Sequence, residues 1–481
     1  MPSAETKNPP SDIALDLSDI QGIIASGYGH LSHSRYLFLQ IEEASKAKGW
    51  LRSLLRDRHI TSSLWGEKPP TAVNLAVTYA GLQALEAPAE LLQSFSKEFI
   101  EGMTEPNRTR QLGDFGINAP DRWEQPWQPD TTVDLLLILQ ATAADLGALD
   151  DAYRAQLGPN GLKLLAVETG YIPVDSREHF GFHDSISQPA IEGSPKAEKT
   201  RINAQDLIKA GEFILGYLNE DGNYPSTPTV PVAQDPTHSL SLLPQTALKD
   251  FGRNGSYLVY RKIAQDVAGF RRYFQDTFST PEERLLMMSK IVGRWPSGAP
   301  LVQAPDADPL GDRLPDNDFL ANSNDFAYGP EDPQGFRCPF SSHIRRTNPR
   351  DSLGQDASES IKSSRRRRLL RRGAVYGDPL PEGVIEDDGQ PRGLLFFCIN
   401  ANIRRQFEFV QQSWVNAPTF NGLYDERDPL VGYNPDGSLR TAIVPKEPLS
   451  QSLSLPNFVT LKGGAYFFLP SLSALTFLAT E

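Results

Sequence analysis

The stretch Val133-Asp-Leu-Leu-Leu-Ile-Leu-Gln140 decides the fold class. Its unbroken apolar run, Leu135 to Leu139, reads as a strand buried on both faces. Working outward, Ala144 to Leu157 predicts a helix with Leu146, Leu149, Tyr153 and Leu157 along one side, and Leu162 to Tyr171 predicts a strand. On the other side lie a strand at Tyr36–Ile41, a helix at Glu43–Arg56 burying Ala47, Trp50, Leu51 and Leu54, and a strand at Ala72–Tyr79. Strand–helix–strand, taken twice, suggests a four-stranded antiparallel sheet with helices packed on one side.

A similar order recurs downstream. Tyr257–Ile263 predicts a strand, Asp266–Thr277 a helix, Gly393–Asn400 a strand, Ile403–Trp414 a helix and Ala465–Leu469 a strand. This is a second α+β unit. It carries a long insertion, roughly residues 280–390, rich in Pro, Asp and Gly. Long loops on a compact scaffold are where binding groups usually sit. Lys462-Gly-Gly464 reads as a turn ahead of the last strand. The expected organisation is a polar tail at 1–18, one unit at 19–215 and a second at 216–481.

The bulk numbers bound the function. With 481 residues, 39% hydrophobic and 22% charged, the chain reads as soluble and globular. A net charge of −13 argues against a general nucleic-acid binder, since phosphates are repelled. No apolar run reaches the roughly 18–20 residues that a membrane span needs. Two cysteines, Cys338 and Cys398, make neither a disulfide framework nor a zinc site and read as buried free thiols.

Three segments carry chemistry. Cys338-Pro-Phe-Ser-Ser-His343-Ile-Arg-Arg-Thr-Asn-Pro-Arg350 sets one histidine among arginines and small residues. A single imidazole suffices to hold a haem iron, and Arg345, Arg346 and Arg350 can meet its propionates. Gly181-Phe-His-Asp184-Ser185-Ile-Ser-Gln-Pro189 puts a carboxylate on a glycine-led turn. Such an aspartate caps a turn or serves as a general base. Arg365-Arg-Arg-Arg-Leu-Leu-Arg371-Arg372-Gly373 looks at first like a nucleic-acid patch. Glu382, Glu386, Asp387 and Asp388 follow closely, however, and Leu369-Leu370 marks where the chain turns inward. Arg371 is then placed to enter a pocket and offset developing charge.

These segments, in order, resemble the dye-decolorizing peroxidases, in particular the longer fungal type. The resemblance runs from about Asp19 to Leu475. It includes Asp19-Ile-Gln-Gly22, Leu370-Arg371-Arg-Gly-Ala-Val-Tyr376-Gly377, Asp428-Pro-Leu-Val-Gly432 and Gly464-Ala-Tyr-Phe-Phe-Leu-Pro470-Ser471. It implies two ferredoxin-like domains, with haem b held mainly by the second. It implies His343 as the proximal iron ligand and Asp184 with Arg371 as the distal pair. Arg345 is expected beside the haem, and Leu394 and Phe396 are expected to line the distal side. Asp428 is the choice for the acidic partner of His343, and Glu408 the runner-up. The implied reaction reduces hydrogen peroxide and oxidises bulky aromatic substrates in one-electron steps, best in acid, because aspartate titrates well below histidine. A haem carrier of related fold is the alternative. Large dyes cannot enter a pocket closed by Leu394 and Phe396 and need a surface relay. Tyr376 is the candidate, with Trp123, Trp127, Trp295 and Trp414 behind it. Family resemblance implies an extracellular setting, with a cytoplasmic one left open; monomer or dimer is left open too. One departure stands out: Ser185 replaces the glycine that ends the family motif. If that position needs a positive φ, serine is strained there.

Overall fold

The computed structural model describes residues 14–199, 202–311 and 313–480. Most of the expected polar tail, residues 1–13, lies outside them. The N-terminal elements are β1 (His33–Ile41), α1 (Ala44–Arg56), β2 (Ala72–Val77), β3 (Leu135–Ala141), α2 (Leu146–Leu157) and β4 (Leu162–Tyr171). The sheet order is β2-β3-β1-β4 and every pairing is antiparallel. That is the ferredoxin-like arrangement. Strand β3 is buried along its whole length, as its unbroken apolar run requires. Helix α1 packs by Ala47, Trp50, Leu51 and Leu54.

The second set is β5 (Ser256–Gln265), α3 (Val267–Thr277), α4 (His343–Thr347), β6 (Leu370–Arg371), β7 (Ala374–Tyr376), β8 (Gly393–Asn400) and β9 (Val459–Leu469). Strand β5 lies between β8 and β9, and β8 also pairs with β6 and β7, all antiparallel. This again is ferredoxin-like. Asp266 starts α3 by accepting the Gly269 N–H at 2.7 Å. The two sheets meet at single pairs, Phe468 with Val77 and Val375 with Tyr171. Because β5 pairs with β8, the ring of strands closes around a shared core rich in aromatic rings.

Two local readings change. Lys462-Gly-Gly464 is not a turn: it lies within β9, which starts earlier than expected. A side chain at Gly463 would run into the Trp127 ring, and one at Gly464 into Met103. These glycines serve close packing, not reversal. The helix expected at 403–414 forms as two π-helical segments, Arg404–Glu408 and Val410–Val415. Such wide turns are frequent at functional sites. Between the two sets of strands lies a small sheet of Thr229–Pro231, Ser241–Leu242 and Leu248–Asp250. Both cysteines are buried and free. Among the described residues, no helix is long and apolar enough to cross a membrane.

Candidate active site

Residues of the insertion and of both sheets line one cavity of about 840 Å³. His343, Asp184, Arg371, Leu394 and Phe396 all line it. Residues that are far apart in the chain therefore converge on one chamber.

His343 opens the short helix α4. Its Nδ1 lies 2.8 Å from Asp428 Oδ2, the partner expected for it. The other Asp428 oxygen accepts the N–H groups of Leu430 and Val431 at 2.9 and 3.0 Å, so the fully buried carboxylate is fixed. Burial works to lower the His343 pKa, but the Asp428 charge and hydrogen bond outweigh it and raise it. With Nδ1–H donated to Asp428, Nε2 is the nitrogen left with a lone pair to ligate. Glu408, the runner-up, sits elsewhere and accepts from Tyr466 Oη.

What holds α4 in place is Arg346. It is fully buried and donates to the carbonyls of Trp414, Glu426, Val415 and Ala417. This ties the helix to the end of the π-helical segment and to the loop carrying Asp428. Arg345 is likewise fully buried and turned away from the cavity. It bonds to Asp332 and the Cys338 carbonyl, and its guanidinium is sandwiched between the rings of Tyr328 and Phe340. The expectation of Arg345 beside a haem is corrected. Besides Arg371, the arginines that line the cavity are Arg261, Arg350 and Arg372, together with Arg294 and Arg368, which were not singled out in the sequence. Nothing in the local spacing marks them. Arg294 and Arg350 bond mostly to carbonyls, and among the described residues neither forms an ion pair with a carboxylate.

Asp184 sits on a tight hairpin. The Glu178 N–H donates to the Phe182 carbonyl, the Asp184 N–H to Ser176 and the His183 N–H to Pro296. The Glu178 carboxylate braces the turn by accepting the Phe180 and Phe182 N–H groups, both at 3.0 Å. Gly181 has φ 97°, and Ser185 has φ 66°, so serine does occupy a left-handed position. Arg371 Nη1 donates to Asp184 Oδ1 at 2.9 Å, and the Ser185 N–H donates to the same oxygen at 2.5 Å. Burial works to raise the Asp184 pKa. The Arg371 charge and these hydrogen bonds prevail and hold it below the usual range. Arg371 is aimed by β6: its backbone pairs with Cys398 and its N–H donates to Gln188 Oε1 at 3.0 Å. Gln188 belongs to the same quoted motif as Asp184, yet its role as a tether was not legible there.

The preceding basic run is consumed internally. Arg365 pairs with Glu220, Arg366 with Asp221 and Arg368 with Asp206, while Arg367 lies over the Phe409 ring. It offers no free basic face of the kind phosphates need. Tyr376, Trp123, Trp127, Trp295 and Trp414 are all buried. The Lys262 ammonium lies 5.1 Å from the centre of the Tyr376 ring.

Comparison with known proteins follows the same line. No family model matches the chain. It is 29% identical over 490 residues to the dye-decolorizing peroxidase AauDyP1 of Auricularia auricula-judae, covering 96% of this chain and 86% of that one. It is 32% identical over 391 residues to the multifunctional dye peroxidase DyP2 of an Amycolatopsis species, covering 74% and 73%. A solved dye-decolorizing peroxidase in complex with 2,6-dimethoxyphenol superposes with a TM-score of 0.77 at 26% identity, covering 97% of this chain and 100% of that one. Fold and relatives together define a haem-dependent peroxidase. The chain belongs to the dye-decolorizing peroxidase family.

The residues present fit the haem that this family requires. One imidazole with its second nitrogen engaged faces a chamber walled by Leu394, Phe396, Ile263 and Leu430, and arginines stand ready for carboxylates. Among the described residues, no cluster of three or more His, Cys, Asp or Glu side chains suits a metal ion held by protein alone.

Proposed function

We propose that this enzyme binds haem b through His343, reduces hydrogen peroxide with Asp184 and Arg371, and oxidises aromatic compounds one electron at a time. The observation that carries the reading is the shared cavity: an imidazole held by Asp428 and a carboxylate–guanidinium pair line the same chamber. Haem bound there supplies the two electrons that split the oxygen–oxygen bond. Asp184 takes a proton from the incoming peroxide and delivers it to the departing oxygen, which leaves as water. Arg371 stabilises the charge that builds as the bond breaks. Leu394 and Phe396 keep the chamber apolar and leave space for small molecules. Arg350 and Arg294 would pair with the propionates.

A depressed Asp184 pKa keeps the base ionised in acid, so the reading includes an acidic working range and, with it, an extracellular setting. The reducing substrates are proposed to be dyes and phenolics, in line with the phenol bound by the solved relative. Absorption spectra of the haem-loaded protein before and after one equivalent of peroxide test the reading. The expected result is a Soret band that shifts within the mixing time. A stable band unmoved by peroxide points instead to a haem carrier.

A further inference from the structure

Tyr466 and Glu408 form a buried pair that the peroxide chemistry does not use. Tyr466 lies on β9 with 3% of its surface exposed, and Glu408 lies in the first π-helical segment with 2% exposed. The Tyr466 hydroxyl donates to Glu408 Oε1 at 2.9 Å. The other carboxylate oxygen accepts from Arg108 at 2.9 Å, and Arg108 is also paired with Glu101. The Phe407 ring lines the cavity and meets Tyr466 edge-on, with ring centres 6.4 Å apart. Phe396, on the cavity wall, is 6.4 Å from Phe407. Tyr466 is therefore one ring removed from the chamber.

We infer that Tyr466, with Glu408 as its proton acceptor, is an internal oxidation site of this peroxidase, holding one oxidising equivalent as a neutral tyrosyl radical. The inference rests on the peroxidase reading, which supplies the oxidant. One electron passes from the phenol to the peroxide-oxidised haem. The O–H bond breaks, and its proton goes to Glu408 along the existing hydrogen bond. Reduction by a substrate electron returns both. Losing the proton together with the electron avoids a buried tyrosyl cation, which Arg261 over the neighbouring Phe407 ring would oppose. Glu408 is suited to accept: burial raises its proton affinity, against the pull of Arg108. When it is neutralised, Arg108 keeps Glu101. Tyr376 has the opposite setting, since the Lys262 ammonium over its ring disfavours removal of an electron.

The test is freeze-quench electron paramagnetic resonance of the haem-loaded enzyme after one equivalent of peroxide, with the Soret shift recorded in parallel. The wild type should show a tyrosyl signal. Tyr466→Phe should abolish it while the Soret shift persists, and Glu408→Gln should lower it severalfold. Replacing Tyr466 by fluorotyrosine leaves the packing nearly unchanged and should split the signal through the fluorine. A tyrosyl signal unchanged in Tyr466→Phe and unsplit by fluorotyrosine overturns the inference. So does a wild type that answers peroxide in the Soret band with no protein radical. If the Soret band itself ignores peroxide, the peroxidase reading fails, and the inference falls with it.

Discussion

Arg371 Nη1 donates to Asp184 Oδ1 at 2.9 Å across 187 positions of sequence. The contact does two jobs: it fixes the acid in the cavity and it depresses the acid's pKa. Asp184→Asn keeps the shape and removes the base. It should keep the Soret band and slow the reaction with peroxide by about 10²–10⁴-fold, the span general acid–base groups supply. Stopped-flow absorbance reads this directly. An unslowed reaction would remove Asp184 from the chemistry.

The same contact fixes a pH dependence. A carboxylate with a lowered pKa stays ionised in acid, and activity is lost only as pH falls through that lowered value. Arg371→Leu removes the charge and leaves the burial, so the pKa rises. The acid limb of the peroxide reaction should therefore move to higher pH in Arg371→Leu, beyond any loss of rate. Identical acid limbs in wild type and variant would show that another group titrates.

His343 lines the same cavity, and Asp428 holds its ring by Nδ1. His343→Ala should lose haem. Asp428→Asn should keep it more loosely, by about 10–100-fold, the usual cost of losing such a supporting carboxylate. The rate of haem transfer to an apoglobin acceptor measures both. Equal retention in Asp428→Asn and wild type would mean that α4, anchored by Arg346, orients the ring unaided.

What the sequence made legible follows from the range of the forces involved. Leu135–Leu139 has no polar face, so β3 had to be buried on both sides; period and length alone fix that. The triplet His343, Asp184 and Arg371 came from motif resemblance, and Asp428 came the same way. Arg345 was misplaced because two adjacent arginines on one short helix turn point differently, and only the partners Asp332 and Trp414 decide where each goes. Arg294 and Arg368 were missed because their part depends on the curl of the insertion, a tertiary fact. Gly463 and Gly464 were taken for a turn because glycine marks both reversals and close contacts; Trp127 and Met103, far away in sequence, choose between them.

Ser185 sits at φ 66° where a side chain is strained. Removing its Cβ relieves about 1–2 kcal/mol, and the extra freedom of glycine in the unfolded chain takes back about 0.5–1 kcal/mol. Ser185→Gly should therefore raise stability by roughly 0.5–1 kcal/mol, read as a higher denaturant midpoint at unchanged slope. The Ser185 N–H to Asp184 bond is a backbone contact and survives. The peroxide reaction should keep its acid limb. A lower midpoint would mean that the serine side chain stabilises the loop by more than its strain costs.

Arg345 and Arg350 separate structure from cofactor binding. Arg345 is paired with Asp332, itself 3% exposed, and stacked between two rings. Arg345→Ala leaves a buried carboxylate without its cation, an error that costs about 3–5 kcal/mol. The Arg337 and Cys338 N–H groups still reach Asp332, which points to the lower end of that range. Arg350 lines the cavity and donates to the carbonyls of Asn324 and Phe326. Arg350→Ala should weaken haem binding more than Arg345→Ala does. Chemical denaturation of the haem-free protein and haem titration of the folded protein distinguish the two. If Arg345→Ala loosened haem without destabilising the apoprotein, the guanidinium would have to reach the chamber, against the burial seen here.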